Sequence, residues 1–240
     1  MSGEMMKSAV RYCRAHITKD EALRYISHLD YASLMQRAIC RAKLPAAYSE
    51  GFNPHMKLSF ASALSVGVTS EAEYMDLEIA GKISEKEIEE RLRGALPSGV
   101  RLLGIRLLDA KPKALMSLTD EAEYDVEAPL CGSMTDVAAA LDAFNAAKEC
   151  LYIRKTPKKT REIEVKQYIL GDIQAKETHE GTLRLAMAIR VTPGGSVKPQ
   201  EVLSLLAERF SMPVRAQEAL IHRRALLSGG KPLLPEEVRP

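Results

Sequence analysis

Ser27-His28-Leu29-Asp30-Tyr31-Ala32-Ser33-Leu34-Met35-Gln36-Arg37-Ala38-Ile39-Cys40-Arg41-Ala42 reads as one capped helix, and the elements on either side of it decide the fold. Ser27 is an N-cap residue, and Asp30 stands three positions on, where Glu more usually completes the box. Leu34, Ala38, Ile39 and Ala42 fall on one side, and the helix must stop before Pro45. Working outward, residues 9–18 read as a strand before it. Residues 57–63 and 73–79 follow as a strand pair turning near Gly67. Ser84 caps a second helix over 85–96, whose early acids suit the helix dipole. A strand over 100–108 closes the set.

The second half repeats that order. Residues 124–127 read as a strand, 134–148 as a helix capped near Thr135, and 163–175 and 183–191 as strands. A helix over 199–210 has Pro199 in its first turn, and 214–227 holds the last strand. Two β-α-β-β-α-β sets predict an α+β protein of tandem ferredoxin-like modules. The expected boundaries are 1–110 for the first module, 111–120 for a linker with Lys111-Pro112-Lys113, 121–228 for the second module and 229–240 for a flexible tail.

Composition removes several classes of function. Net charge is +2, so nucleic-acid binding must come from local clustering rather than from a polyelectrolyte chain. Aromatics make up 5% with no Trp, which argues against extensive base stacking. No run approaches the roughly 18 apolar residues of a membrane span, and the N-terminus lacks a signal-peptide core, so a soluble, cytoplasmic protein is expected. Cys13, Cys40, Cys131 and Cys150 are scattered without zinc-type or iron–sulfur-type spacing. They read as buried, inert thiols, and neither metal nor cofactor is expected.

Three polar clusters interrupt the first module. In the first, Ser27, His28 and Asp30 sit at a helix start, where backbone N–H groups attract anions and His28 would contact phosphate or move a proton. Plain capping by Ser27 and Asp30 accounts for the same residues. In the second, Tyr48-Ser49-Glu50-Gly51-Phe52-Asn53-Pro54-His55 carries more chemistry than a turn requires. Gly51 permits positive φ, Pro54 restricts Asn53, and Phe52 is expected to anchor or stack. Asn53 and His55 would then be held rigidly, with Lys57 just beyond. Arg37 and Arg41, at i and i+4, would border this loop as a basic helix face. In the third, Tyr74 and Asp76 alternate with Met75 and Leu77 along a strand, as they also would on any half-exposed strand.

The second module carries the strongest local charge. Arg154, Lys155, Lys158, Lys159 and Arg161 fall within eight residues, a loop suited to phosphate backbones. Solubility charges are the alternative. Arg184 and Arg190 strengthen the phosphate reading slightly, and Arg223 and Arg224 after His222 add a second basic group. The loop Thr192-Pro193-Gly194-Gly195-Ser196-Val197-Lys198-Pro199 lacks both P-loop and dinucleotide fingerprints and reads as a turn.

These motifs together resemble the radical-SAM-linked proteins, a bacterial family built on a domain of unknown function. The resemblance rests on Tyr25-Ile26-Ser27-His28-Leu29-Asp30, Arg37-Ala38, Arg41-Ala42, Leu44-Pro45, the 48–55 motif, Ser59-Phe60-Ala61, Glu73-Tyr74 and Asp76. The basic residues at 154–159, the 194–199 loop and His222-Arg223-Arg224 extend it to nearly the whole chain. It implies association with a B12-binding-type radical SAM enzyme, in a gene context of ribonuclease G and ribosomal proteins that points to tRNA, rRNA or ribosome-linked modification. The chain lacks a CxxxCxxC motif and is not itself such an enzyme by the usual route.

The leading expectation is therefore a non-catalytic RNA-binding or substrate-presenting partner of a radical SAM enzyme. A single pocket of His28, Asp30, Asn53, His55 and Asp76 would recognise a nucleotide or dock the partner. Ser27, Arg37, Arg41, Tyr48, Ser49, Gly51, Phe52, Lys57 and Tyr74 would surround it. An RNA-processing enzyme is the alternative, by fold analogy with CRISPR-repeat endoribonucleases and pseudouridine synthases. It would use His28 or His55 as acid and base, or Asp30 or Asp76 as nucleophile. A pure protein adaptor gripping its partner through the 48–55 loop is the third reading.

Overall fold

The computed structural model describes residues 10–108, 110–156, 159–179 and 181–234. The protein is mixed α+β, with antiparallel sheets and, among the described residues, five α-helices. Two compact units divide the chain: one runs to Leu118 and takes up the chain again from Lys231, and the other is Thr119–Gly230.

The first unit runs β1 (Val10–Lys19), α1 (His28–Arg41), β2 (Leu58–Phe60), β3 (Val68–Ala80), α2 (Glu85–Ala95), β4 (Leu102–Leu108) and a single turn, α3 (Leu115–Leu118). β1 lies between β3 and β4, and β2 pairs with the far edge of β3, giving the order β4-β1-β3-β2, all antiparallel. Period-2 alternation gives the sheet two unlike faces. Cys13, Ala15 and Ile17 of β1 and Met75, Leu77 and Ile79 of β3 form one core with Tyr31, Met35 and Ile39 of α1 and Ile88 and Leu92 of α2. Both helices start where the sequence predicts: the Ser27 and Ser84 hydroxyls accept from the N–H groups of Asp30 and Glu87.

The other face of this sheet is polar and covered. Its rungs follow from register: Ser59 opposite Asp76, Asp76 opposite Arg14, and Arg14 opposite Arg106. Segment 111–114 lies along β2 and β3, and α3, with Leu115 buried, packs on the same strands. Residues 231–234 close the rest: the Leu233 carbonyl accepts from Arg14 Nη1 at 3.3 Å, and a Cβ on Gly104 would meet Leu234 at 3.2 Å. Residues 111–118 of the segment expected as a linker, and residues 231–234 of the expected flexible tail, thus belong to this unit.

At the end of β1, Lys19 is only 1% exposed. Its ammonium donates to the carbonyls of Arg24, Ile26 and Val68 at 3.0, 3.1 and 3.3 Å. These bonds hold the chain that leads into Ser27.

The second unit runs β5 (Glu121–Pro129), α4 (Met134–Ala146), β6 (Leu151–Thr156), β7 (Lys159–Glu164), β8 (Ile169–His179), β9 (Thr182–Arg190), α5 (Pro199–Arg209) and β10 (Leu220–Ser228). Its sheet has the order β10-β5-β9-β8. α4 is capped by Ser133, two residues before the predicted Thr135, through a full capping box with Asp136. The strand predicted from Ile163 starts at Ile169, because residues before it form an antiparallel β6–β7 hairpin of their own. Among the described residues, no helix is long and apolar enough to cross a membrane.

Candidate functional site

The 48–55 loop is a braced arm rather than a loose connection. Residues 45–47 run along the edge of β3: Ala80 N–H donates to the Pro45 carbonyl and Ala47 N–H to the Glu78 carbonyl. Returning chain closes the stem, since Lys57 N–H donates to the Ala47 carbonyl and Ser49 N–H to the His55 carbonyl. Ser49 Oγ accepts from His55 N–H at 2.9 Å, fixing the neck. Gly51 has φ +115°, a backbone that other residues rarely adopt. Beyond the neck, Asn53 and His55 are exposed and the Phe52 ring is fully bare. Phe52 was expected to anchor or stack; within this chain the backbone stem holds the loop. Tyr48 is exposed, with its hydroxyl 3.9 Å from Cys40 Sγ, a contact that raises its pKa.

The remaining first-unit candidates separate. Asp30 is spent on capping: its Oδ2 accepts from the Ser27 hydroxyl at 2.6 Å. His28 is half-buried and meets the Phe60 ring edge-on at 5.3 Å. Arg37 is exposed, and Arg41, also exposed, donates to the Ala95 carbonyl at the end of α2. Tyr74, 3% exposed, stacks on His16 at 4.4 Å on the covered sheet face.

Asp76 lies on that same covered face at 7% exposure, with Arg14 Nε and Nη2 each donating to one carboxylate oxygen at 2.8 Å. A bidentate pair of this kind fixes both groups. One rung away, Lys57 and Glu78 pair at 2.9 Å, and this contact raises the Lys57 pKa. Lys57 and Asp76 both line a cleft of about 260 Å³ between the sheet and residues 111–114, together with Tyr12, Ser59, Glu78 and Lys111. His28, Asp30, Asn53 and His55 are not in its lining, so the single pocket expected from the sequence is replaced by a cap, a protruding loop and a cleft. The sequence reading missed Tyr12, Ser59, Glu78 and Lys111; the alternation of Tyr74, Asp76 and Glu78 was the available signal.

In the second unit the basic run lies on the β6–β7 hairpin. Arg154 faces Arg161 across it, but Arg154 Nε and Nη2 donate to the Glu201 carboxylate at 2.6 and 2.5 Å, and Nη2 also donates to the Ser196 carbonyl. Arg154 therefore ties the hairpin to the start of α5 and is not presented for phosphate. Lys155 and Arg161 are exposed. Lys158 and the side chain of Lys159 lie outside the described residues. Arg223 is 2% exposed, while Arg224 is exposed and pairs with Glu123 at 2.8 Å. Arg184 pairs with Asp125 at 2.6 Å. The 192–199 loop is a closed turn: Thr192 and Gly195 exchange backbone hydrogen bonds, and Glu201 takes the Lys198 N–H at the start of α5.

The cysteines divide two and two. Cys13 and Cys150 are buried, but Cys40 and Cys131 are exposed, contrary to the uniform burial expected. Burial pushes the Cys13 thiol up to about 12, helped by the charges of Glu85 and Asp76. Among the described residues, no three His, Cys, Asp or Glu side chains stand together as a metal site.

Residues 12–199 match the model of a family described as an uncharacterised protein conserved in bacteria, DUF2344, and the chain belongs to that family. No curated protein matches it. Among solved structures, it is similar to a chain in the crystal structure of a Cbf5-Nop10-Gar1 complex, at 9% identity and a TM-score of 0.45, over 89% of this chain and 48% of that one. The protein thus spans about half the length of that relative. The encapsulated DyP-type peroxidase from Mycobacterium smegmatis, solved by cryo-EM, is also similar at 9% identity, with a TM-score of 0.19 over 92% of this chain and 90% of that one. At such scores neither likeness carries an argument about fold or function.

Proposed function

We propose that this member of the DUF2344 family is a non-catalytic presenting subunit that docks on a B12-binding-type radical SAM enzyme through its 48–55 loop and holds an RNA substrate for it. The observation that supports docking is the Phe52 ring, fully exposed on a stem that backbone hydrogen bonds hold rigid. Burying such a ring is worth about 1.5–3 kcal/mol, which this chain leaves unrealised and a partner pocket would recover. Bare aromatic anchors on rigid supports are the usual energetic centres of protein interfaces. The identity of the partner rests on the sequence resemblance to radical-SAM-linked proteins.

The RNA part rests on the β6–β7 hairpin, where Lys155 and Arg161 remain exposed beside the outward Ile153. Each unit is read as a ferredoxin-like module on its β-α-β-β-α-β order, the β6–β7 hairpin being an insertion in the second, and on its strand order, β4-β1-β3-β2 in one and β10-β5-β9-β8 in the other. A cytoplasmic location follows from this role. The enzyme alternative loses support from geometry, since Asp30 is spent on its cap and Asp76 on Arg14.

Co-migration with the radical SAM enzyme of the same bacterium on gel filtration tests the proposal. Wild type is expected to co-migrate and Phe52→Ala to elute alone with an unchanged melting curve. Co-migration of Phe52→Ala would remove the loop's role, and failure of wild type would remove this partner. Filter binding of total tRNA and rRNA fragments tests the second half. Binding should fall steeply with salt and weaken when Lys155 and Arg161 become Gln; affinity unchanged by those substitutions would overturn the hairpin's role.

A further inference from the structure

The cleft on the covered face of the first sheet is not used by this reading, and its charges are sorted in space. β3 supplies two carboxylates, Asp76 and Glu78, in alternate positions and so on one face. Register sets Tyr12 opposite Glu78 and Ser59 opposite Asp76, adding hydroxyls on either side. The covering segment supplies Lys111, which is exposed and has no ion-pair partner among the described residues. Acceptors therefore form the floor and a cation forms the roof.

We propose that this cleft binds a free α-amino acid, its ammonium on the Asp76–Glu78 floor and its carboxylate under Lys111. The floor is prepared for that task. Arg14 holds both Asp76 oxygens in place, yet each carboxylate oxygen has a further lone pair to offer. Lys57 balances Glu78 at the rim. A simple anion would meet two carboxylates on the floor, and a simple cation would leave Lys111 unanswered. A molecule carrying both charges satisfies both walls. The size agrees: about 260 Å³ is ample for an amino acid.

Isothermal titration of the full chain with each proteinogenic amino acid at millimolar concentration tests the assignment. Saturable heat is expected with at least one of them, and none with its N-acetyl derivative or its amide. Lys111→Ala and Glu78→Gln, both outside the apolar core, should each weaken binding about tenfold while leaving the melting curve in place. Three outcomes would overturn the proposal: no heat from any amino acid, binding of the N-acetyl derivative as tightly as the parent, or affinity unchanged in Lys111→Ala. Inorganic phosphate binding in place of amino acids would equally overturn it, by making the cleft an anion site. None of these readouts depends on the radical enzyme or on RNA, so failure here leaves the docking proposal standing.

Discussion

Asp76 and Phe52 come from two neighbouring polar clusters of the first unit, but they meet opposite environments. Asp76 is clamped by Arg14 beneath two covering segments, whereas Phe52 stands free on a closed stem. The charged residue is inside and the apolar one outside, the reverse of what transfer energies favour. Each inversion has its own explanation. A buried carboxylate persists when its charge and hydrogen bonds are answered in place, and a bare ring on a rigid support is surplus to folding. The first cluster is architecture with a cleft beside it; the second is a surface offered outward.

Several changes would break or sharpen this contrast. The largest effect is expected for Asp76→Ala, which strands the Arg14 guanidinium in a nearly dry site. It should cost about 3–5 kcal/mol, read as a lower midpoint in urea unfolding. Next comes Arg154→Ala, which does in the second unit what Asp76→Ala does in the first, leaving the shielded Glu201 unanswered. About 2 kcal/mol should be lost, and proteolysis should speed up at the β6–β7 hairpin.

A smaller effect belongs to alkaline solution. Cys13 lies on the other face of β1 from Arg14, and burial pushes its thiol from the ordinary value of 9.0 up to about 12. The folded state therefore keeps a proton that the unfolded chain releases. Stability from this group is complete below pH 9 and is lost as pH rises from there through about 12. Cys13→Ala should flatten the fall in unfolding free energy over that window. Phe52→Ala should change stability least, within about 0.5 kcal/mol. A larger loss in chemical denaturation would mean that the ring packs on its own chain and the contrast is false.

Local signals carried the reading of the sequence furthest. Ser27 and Ser84 marked their helix starts to the residue, because an N-cap is a short-range hydrogen bond between neighbours. The strands of the first unit were recognised with shifted bounds: β2 and β4 were drawn long, and β3 was drawn short, beginning at Val68 rather than at residue 73, where polar residues hide the pairing of Lys19 with Ser70. The β6–β7 hairpin was read as a loop because Arg154, Lys155 and Arg161 mask the alternation of Tyr152 and Ile163. Long-range pairs were out of reach. Arg14 finds Asp76, Arg154 finds Glu201 and Arg224 finds Glu123 only through strand register or helix docking. Each such pair engages a residue that the sequence reading offered to the expected site, Asp76, Arg154 and Arg224 in turn. The cleft escaped for the same reason, its roof being a segment read as linker.

The cover over the first sheet also has a consequence for how the protein is made. The chain leaves this unit at Leu118 and supplies residues 231–234 to it only after the whole of Thr119–Gly230 has been synthesised. Until then Arg14 lacks the Leu233 carbonyl and Gly104 its neighbour Leu234, so the nascent first unit waits, partly open, until its own cover has been translated.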